Sequence, residues 1–420
     1  MASFSWQGIK NSLGPGLLIS AAAIGVSHLV QSTRAGADYG FALVWAVVLA
    51  NLFKYPFLEF GPRYAIAAGE TMIEGYKRLG NWAIWIFVIF TVSTMFIIYA
   101  AVTVVTASLA AELTGIPLNP FLWSLILAGL CSAIMYSGKY SVLDSVVKVI
   151  MTILALSTFI ALIAAVAHGE METLRTVQPP TIWTTGGVAF LIALMGWMPI
   201  PIDAAAWHSI WTVDRISQTR YTPKMSESLI DFNIGYIGAS LLAVCFLLLG
   251  ALVMFGSGEE FASSGAVFSR QLIHLYTANL GSWAYVIIVI CAFTTMFSTT
   301  LAVTDVYPRT CRKIIEVLNP DLFERHSPVR IYRILLGLLV GLSLSILFLM
   351  GDQFTFMVDL ATTLSFLAAP VLAYLNYRLV RMPHILKTRR PRPWLNWLSV
   401  CGLIFLTGFA LLYIYWMIRF

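Results

Sequence analysis

Two long apolar stretches of this sequence, 13–33 and 184–212, carry near their middles residue types that a continuous buried helix would exclude. The first reads Gly25-Val26-Ser27-His28 and the second Gly196-Trp197-Met198-Pro199-Ile200-Pro201-Ile202-Asp203. Unwound backbone inside a hydrocarbon layer is tolerated only where protein encloses it or a polar cavity adjoins it, and its exposed carbonyls and helix ends can hold an ion or solute. His28 could ligate a metal when neutral, meet an anion when protonated or relay a proton; the structural alternative is an imidazole hydrogen-bonded to unwound backbone. Asp203 could cap the half-helix that follows it, or face His28 across a cavity as a cation site or proton-coupled pair. Gly25, Ser27, His28, Pro201 and Asp203 are therefore the candidate substrate-binding residues, with His28 and Asp203 the candidate metal ligands. His208, about a turn beyond Asp203, and Thr295, Ser298 and Thr299, from a hydroxyl-rich stretch, are candidates to couple to that site or support it from behind. Such hydroxyls also commonly bond back to their own helix.

The elements that must position these groups are membrane helices. The chain is 59% hydrophobic and 11% charged, with mean hydropathy +0.83, outside the range of soluble domains. Apolar runs near the roughly 20 residues that cross a bilayer fall at about 13–33, 41–62, 82–112, 119–137, 143–168, 184–212, 226–256, 281–304, 328–350, 354–380 and 393–418. An all-α fold of eleven spans is expected, with no cleaved signal at the start. Groups of five spans have odd parity, so the second five enter from the opposite side. This predicts a 5+5 inverted repeat, about 13–168 and 184–380, each member beginning with a broken helix, plus an accessory helix 393–418 in one transporter domain over 1–420. Basic residues cluster in Arg309–Arg333 and Arg378–Arg392, whereas the other side keeps only Arg34, Arg175, Arg270 and Arg419. That asymmetry puts the N-terminus in the cytoplasm and the C-terminus outside, in the inner (plasma) membrane. It also accounts for the net charge of +6 without nucleic acid as a partner.

The remaining intramembrane charges have structural readings. Arg34 and Asp38, four apart, suit an intrahelical ion pair, as do Asp144 and Lys148. Lys54 and Glu59 approach the inner end of the second span and are expected to snorkel. Residues 257–280, with Glu259 and Glu260, suit an amphipathic helix on the outer face, and the scattered cysteines suit reduced core residues. No nucleotide loop, metalloprotease helix or hydrolase elbow occurs, so neither an enzyme nor an ATP-driven pump is expected, and no cofactor.

The strings Gly14-Pro15-Gly16-Leu17-Leu18-Ile19-Ser20 and Arg34-Ala35-Gly36-Ala37-Asp38-Tyr39-Gly40-Phe41 resemble the opening of Nramp divalent-metal transporters. The resemblance extends over essentially the whole chain, including the Thr/Ser-rich eighth span and His208-Ser209. It implies a LeuT-like fold and proton-coupled transport of divalent metals. Where the family has Asp-Pro-Gly-Asn, counting back from Ala35-Gly36 places Gly25-Val26-Ser27-His28. Where it has Met-Pro-His, counting back from His208-Ser209 places Pro201-Ile202-Asp203; a shifted register keeps Met198-Pro199 and puts Ile200 at the histidine. The family's principal carboxylate ligand is thus replaced, and in the first register its soft thioether as well; in either register the site is not the standard one. The expected solute is then a divalent cation harder than manganese or iron, held by His28 and Asp203, with the readings that follow as alternatives. A small anion or organic solute, such as bicarbonate or a carboxylate, suits a cavity with His28 near a half-helix N-terminus and Arg34 on the same helix. A transport-inactive sensor or scaffold is the third reading. The expected partners are the small solute or ion, the lipid bilayer, and protons or sodium as coupling ion.

Overall fold

The computed structural model describes residues 14–137, 140–167, 178–257, 261, 265–350 and 353–419, without the side chains of 140–151, 266 and 354. Arg175, Glu259, Glu260 and the side chains of Asp144 and Lys148 lie outside the described residues. The described chain is helical nearly throughout. The first membrane segment consists of α1 (Pro15–Ala23), a π-helical turn over Ser27–Ser32 and α2 (Thr33–Tyr39). Its two halves are bent by 43°. Then come α3 (Val44–Ala68), the short α4 (Met72–Leu79), α5 (Asn81–Thr114), α6 (Pro120–Ser137) and α7 (Tyr140–Ala167). A second interrupted segment follows as α8 (Thr185–Gly196) and α9 (Ala204–Thr219). The rest is α10 (Met225–Val253), α11 (Gly265–Leu280), α12 (Ala284–Leu318), α13 (Asp321–Arg325), α14 (Pro328–Met350), α15 (Phe354–Leu379) and α16 (Pro393–Arg419).

Among the described residues seven single helices are long and apolar enough to cross a bilayer, and the bent first segment makes an eighth. The other three expected spans fall on α3, which carries Lys54, Glu59 and Arg63; on α7, whose first side chains are not described; and on the α8/α9 pair. Helix α12 is largely enclosed by its neighbours, whereas α14 and α16 are mostly exposed and present Leu and Ile side chains outward. Helices α1 and α2 pack along α10, α8 along α15, α9 along α3, and α12 along α5. Both interruptions are therefore held between long continuous helices, as irregular backbone at this depth requires.

Candidate functional site

The first interruption is stabilised by hydroxyls. Helix α1 stops at Ala23 and the chain resumes as a π turn at Ser27, leaving carbonyls without a helical donor. The Thr299 hydroxyl on α12 lies 3.0 Å from the Ala21 carbonyl, 3.4 Å from that of Ile24 and 3.2 Å from its own Thr295 carbonyl. Ser27 Oγ lies 2.7 Å from the Ala23 carbonyl and 3.2 Å from that of Pro199 across the second break. Gly25 permits this approach, because a Cβ there would stand 2.7 Å from Thr299 Oγ1. His28 is fully buried, with Nε2 2.8 Å from the Ala239 carbonyl on α10 and Nδ1 2.8 Å from Ser27 Oγ. A carbonyl can only accept, so Nε2 carries hydrogen, and in the neutral ring Nδ1 accepts from Ser27.

The second interruption is held by a charge. Helix α8 ends at Gly196, the Met198–Pro199 bond is cis, and α9 starts after Asp203, whose side chain makes no capping hydrogen bond. Lys54, from the middle of α3, places Nζ 2.6 Å from the Met195 carbonyl and 2.7 Å from that of Gly196. It is fully buried, which corrects the expectation that it snorkels to the interface. The physical reason is that α3 continues through Pro56 and Pro62 to Ala68, so Lys54 sits far from either helix end. Glu59 does not snorkel either; it is buried in an ion pair with Arg63, whose Nε lies 2.8 Å from Oε2. Asp203, itself buried, is within electrostatic reach of Lys54.

Between the breaks lies a cavity of about 30 Å³, walled by Ser27, Trp197, Pro199, Pro201, Trp207 and Thr299 together with small aliphatic residues. That is room for about two waters. Of the sequence-derived candidates, Ser27, Pro201 and Thr299 line it, and Gly25 stands behind Thr299. His28, Asp203, His208, Thr295 and Ser298 do not belong to its wall. Ser298 bonds back to the Thr295 carbonyl at 2.7 Å. The His208 ring nitrogens and Thr295 Oγ1 are buried without a hydrogen-bond partner among the described residues, and the His208 ring rests against Phe232. Among the described residues no group of three or more His, Cys, Asp or Glu side chains is arranged to hold a metal. The Met198 thioether faces the Ser32 hydroxyl at 3.8 Å.

Two residues of this site escaped sequence reasoning, Lys54 and Trp207. The signal for Lys54 was a lysine in the middle of a long apolar run. Trp207 lies one helical turn after Asp203, on the same face, but an indole in a membrane helix reads as ordinary packing. Its Nε1 is buried with no acceptor among the described residues, whereas the Trp197 Nε1 donates to Ser365 at 2.8 Å. Ion pairs bracket the cavity. Towards one side, Arg34 joins Asp359 on α15 at 2.8 Å as well as Asp38 at 3.3 Å, and Gln31 donates to Asp359 at 2.9 Å. Towards the other, Arg309 joins Asp214 and Asp305, each at 2.8 Å, and Lys313 joins Glu74 at 2.9 Å.

Residues 16–416 match the family described as natural resistance-associated macrophage protein-like, Nramp. An uncharacterized protein of Pasteurella multocida is 37% identical over 414 residues, 98% of this chain and 93% of that one. A divalent metal cation transporter of Staphylococcus saprophyticus is 25% identical over 267 residues, 60% of this chain and 58% of that one. The crystal structure of the Eremococcus coleocola manganese transporter with an aromatic bis-isothiourea compound superposes with a TM-score of 0.71 at 15% identity. It covers 98% of this chain and 87% of that one, a likeness of fold.

Proposed function

From the premise that this chain belongs to the Nramp family of membrane transporters, we propose that it is a secondary transporter of a small anion or organic solute such as bicarbonate or a short carboxylate. The solute binds in the cavity between the two broken helices. Trp207 carries this reading. It lines the cavity, and its indole N–H, a donor and never an acceptor, is buried without a partner among the described residues. A metal cation has no lone pair to offer that group, while a carboxylate or carbonate oxygen does. Leaving such a donor unmet costs about 1–3 kcal/mol, so an acceptor oxygen is favoured there. The cavity wall adds two hydroxyls and no carboxylate, imidazole or thioether.

Proton coupling runs through Ser27 and His28. While His28 is neutral, the Ser27 hydroxyl donates a hydrogen bond to Nδ1. When His28 gains a proton, Nδ1 becomes a donor to Ser27 Oγ, and the hydroxyl turns its own hydrogen to the Ala23 or Pro199 carbonyl. Protonation thus reverses the polarity of a hydroxyl on the cavity wall. The chain spans the inner (plasma) membrane in eleven passes with its N-terminus cytoplasmic and its C-terminus outside. Its repeats are 13–168 and 184–380, and 393–418 is accessory.

A divalent cation is the second reading, favoured by the buried carboxylate of Asp203 at the second break. Uptake of bicarbonate, short carboxylates, manganese and magnesium into proteoliposomes separates the two. We expect uptake of an acid, reduced about tenfold or more in Trp207→Phe, the equivalent of about 1.4 kcal/mol. Metal uptake that Trp207→Phe leaves unchanged would overturn the proposal in favour of the cation.

A further inference from the structure

We propose that the Lys54 ammonium is a built-in cation, seated on the open end of α8 in the place that a dissolved coupling cation such as sodium would otherwise fill. The C-terminal end of a helix carries a partial negative charge on carbonyls that have no intrahelical donor. At bilayer depth those carbonyls have no water to turn to, so something must satisfy them. Here the partner is one ammonium, with Nζ 2.6 Å from the Met195 carbonyl and 2.7 Å from that of Gly196. Both are charge-assisted contacts.

The surroundings match those of a cation site. Hard cations take carbonyl and carboxylate oxygens; two carbonyls are engaged by Lys54, and the buried Asp203 carboxylate of the same interruption lies within electrostatic reach. Unlike sodium, the ammonium is tethered by its stem to α3, which packs against both α8 and α9. It offsets the partial charge of the helix end but cannot leave with a solute, and therefore cannot draw on a sodium gradient. The stem also ties the two halves of the interrupted segment to one continuous helix. The assignment holds whichever solute the cavity takes, so its failure and that of the preceding reading are distinguishable.

Binding of radioactive sodium to the purified full-length protein provides the test. The unsubstituted protein should show no saturable sodium binding. Lys54→Ala, which removes both the charge and the stem, should gain saturable sodium binding that methylammonium displaces. Methylammonium and sodium, but not choline, should raise the melting temperature of Lys54→Ala and leave the parent unchanged. Saturable sodium binding to the parent overturns the proposal, as does a folded, monodisperse Lys54→Ala that binds neither cation. Should Lys54→Ala not fold, the parent decides alone: saturable binding refutes the assignment and its absence supports it.

Discussion

At the first break the carbonyls released by unwinding face hydroxyls; at the second they face an ammonium. The Thr299 hydroxyl has three carbonyls within 3.0–3.4 Å for its single hydrogen, and Ser27 has two carbonyls and an imidazole nitrogen. Such a donor can change partner without stranding a charge. Lys54 has no comparable freedom: removing it would take the ammonium from both carbonyls, leaving that of Met195 the Met198 N–H at 3.4 Å. The glycines tell the same story. A Cβ on Gly25 would press on the movable Thr299 side chain at 2.7 Å, whereas one on Gly196 would meet the backbone carbonyl of Thr362 at 2.0 Å. The second break is therefore the fixed wall of the cavity and the first the adjustable one. The π turn at Ser27–Ser32 fits that division, since single π turns recur at functional sites.

The comparison is most directly broken at Gly196. In Gly196→Ala the new methyl collides with main chain that cannot rotate away, so α8 and α15 must separate. We expect a loss of roughly 3 kcal/mol or more, at the upper end of overpacking, seen as a large drop in melting temperature and little functional protein. A variant that melts with the parent would show that the second break is not fixed.

Gly25→Ala is the matching change in the adjustable wall. Thr299 must shift as a whole, because the new methyl would meet its Oγ1, Cγ2 and Cβ at 2.7, 2.9 and 3.2 Å, but it is a side chain and not main chain; the cost is about 1 kcal/mol for the hydrogen bonds disturbed, with local repacking besides. Folding should survive while uptake falls several-fold, because Thr299 lines the cavity. Equal losses of stability for the two glycine variants would erase the difference between the breaks.

The positions of both breaks were readable from the chain, because Gly, Pro and ionisable residues each disfavour a continuous helix within an apolar run. The partners of the ionisable groups were not. His28 was legible as an imidazole beside unwound backbone, but its acceptor, Ala239, lies 211 residues away on an unremarkable face of α10. Asp203 was readable as a helix-start carboxylate, yet its electrostatic neighbour comes from α3. Lys54 was misplaced because hydropathy gives the length of an apolar run and not its depth. The second apolar run was drawn to end at 62, whereas the helix continues for a further turn beyond Pro62 to Ala68. Arg34 and Asp38 form the expected local pair. The stronger partner, Asp359, is 325 residues away and could be found only by folding the chain.

The smallest effect is expected where the adjustable segment is tied to α15. Asp359 holds both Arg34 and Gln31, and α15 also supplies the Thr362 carbonyl against which Gly196 rests. Movement of the first segment must therefore break the Asp359 contacts while leaving the second break seated. The pair is only partly buried, with side-chain exposures of 22% for Arg34 and 31% for Asp359. Solvent screening then limits its contribution to about 0.5–1 kcal/mol, within the range for surface pairs. Arg34 also retains Asp38 and its position 4.6 Å above the Phe190 ring. Asp359→Asn should accordingly leave the melting temperature nearly unchanged. It should also make the face of the π turn more accessible, by no more than about fivefold, as read by the rate of thiol labelling in a Ser32→Cys background. Slower labelling, or a loss of stability comparable with Gly196→Ala, would mean that this contact anchors the fold, and the division between a fixed and an adjustable wall would have to be abandoned.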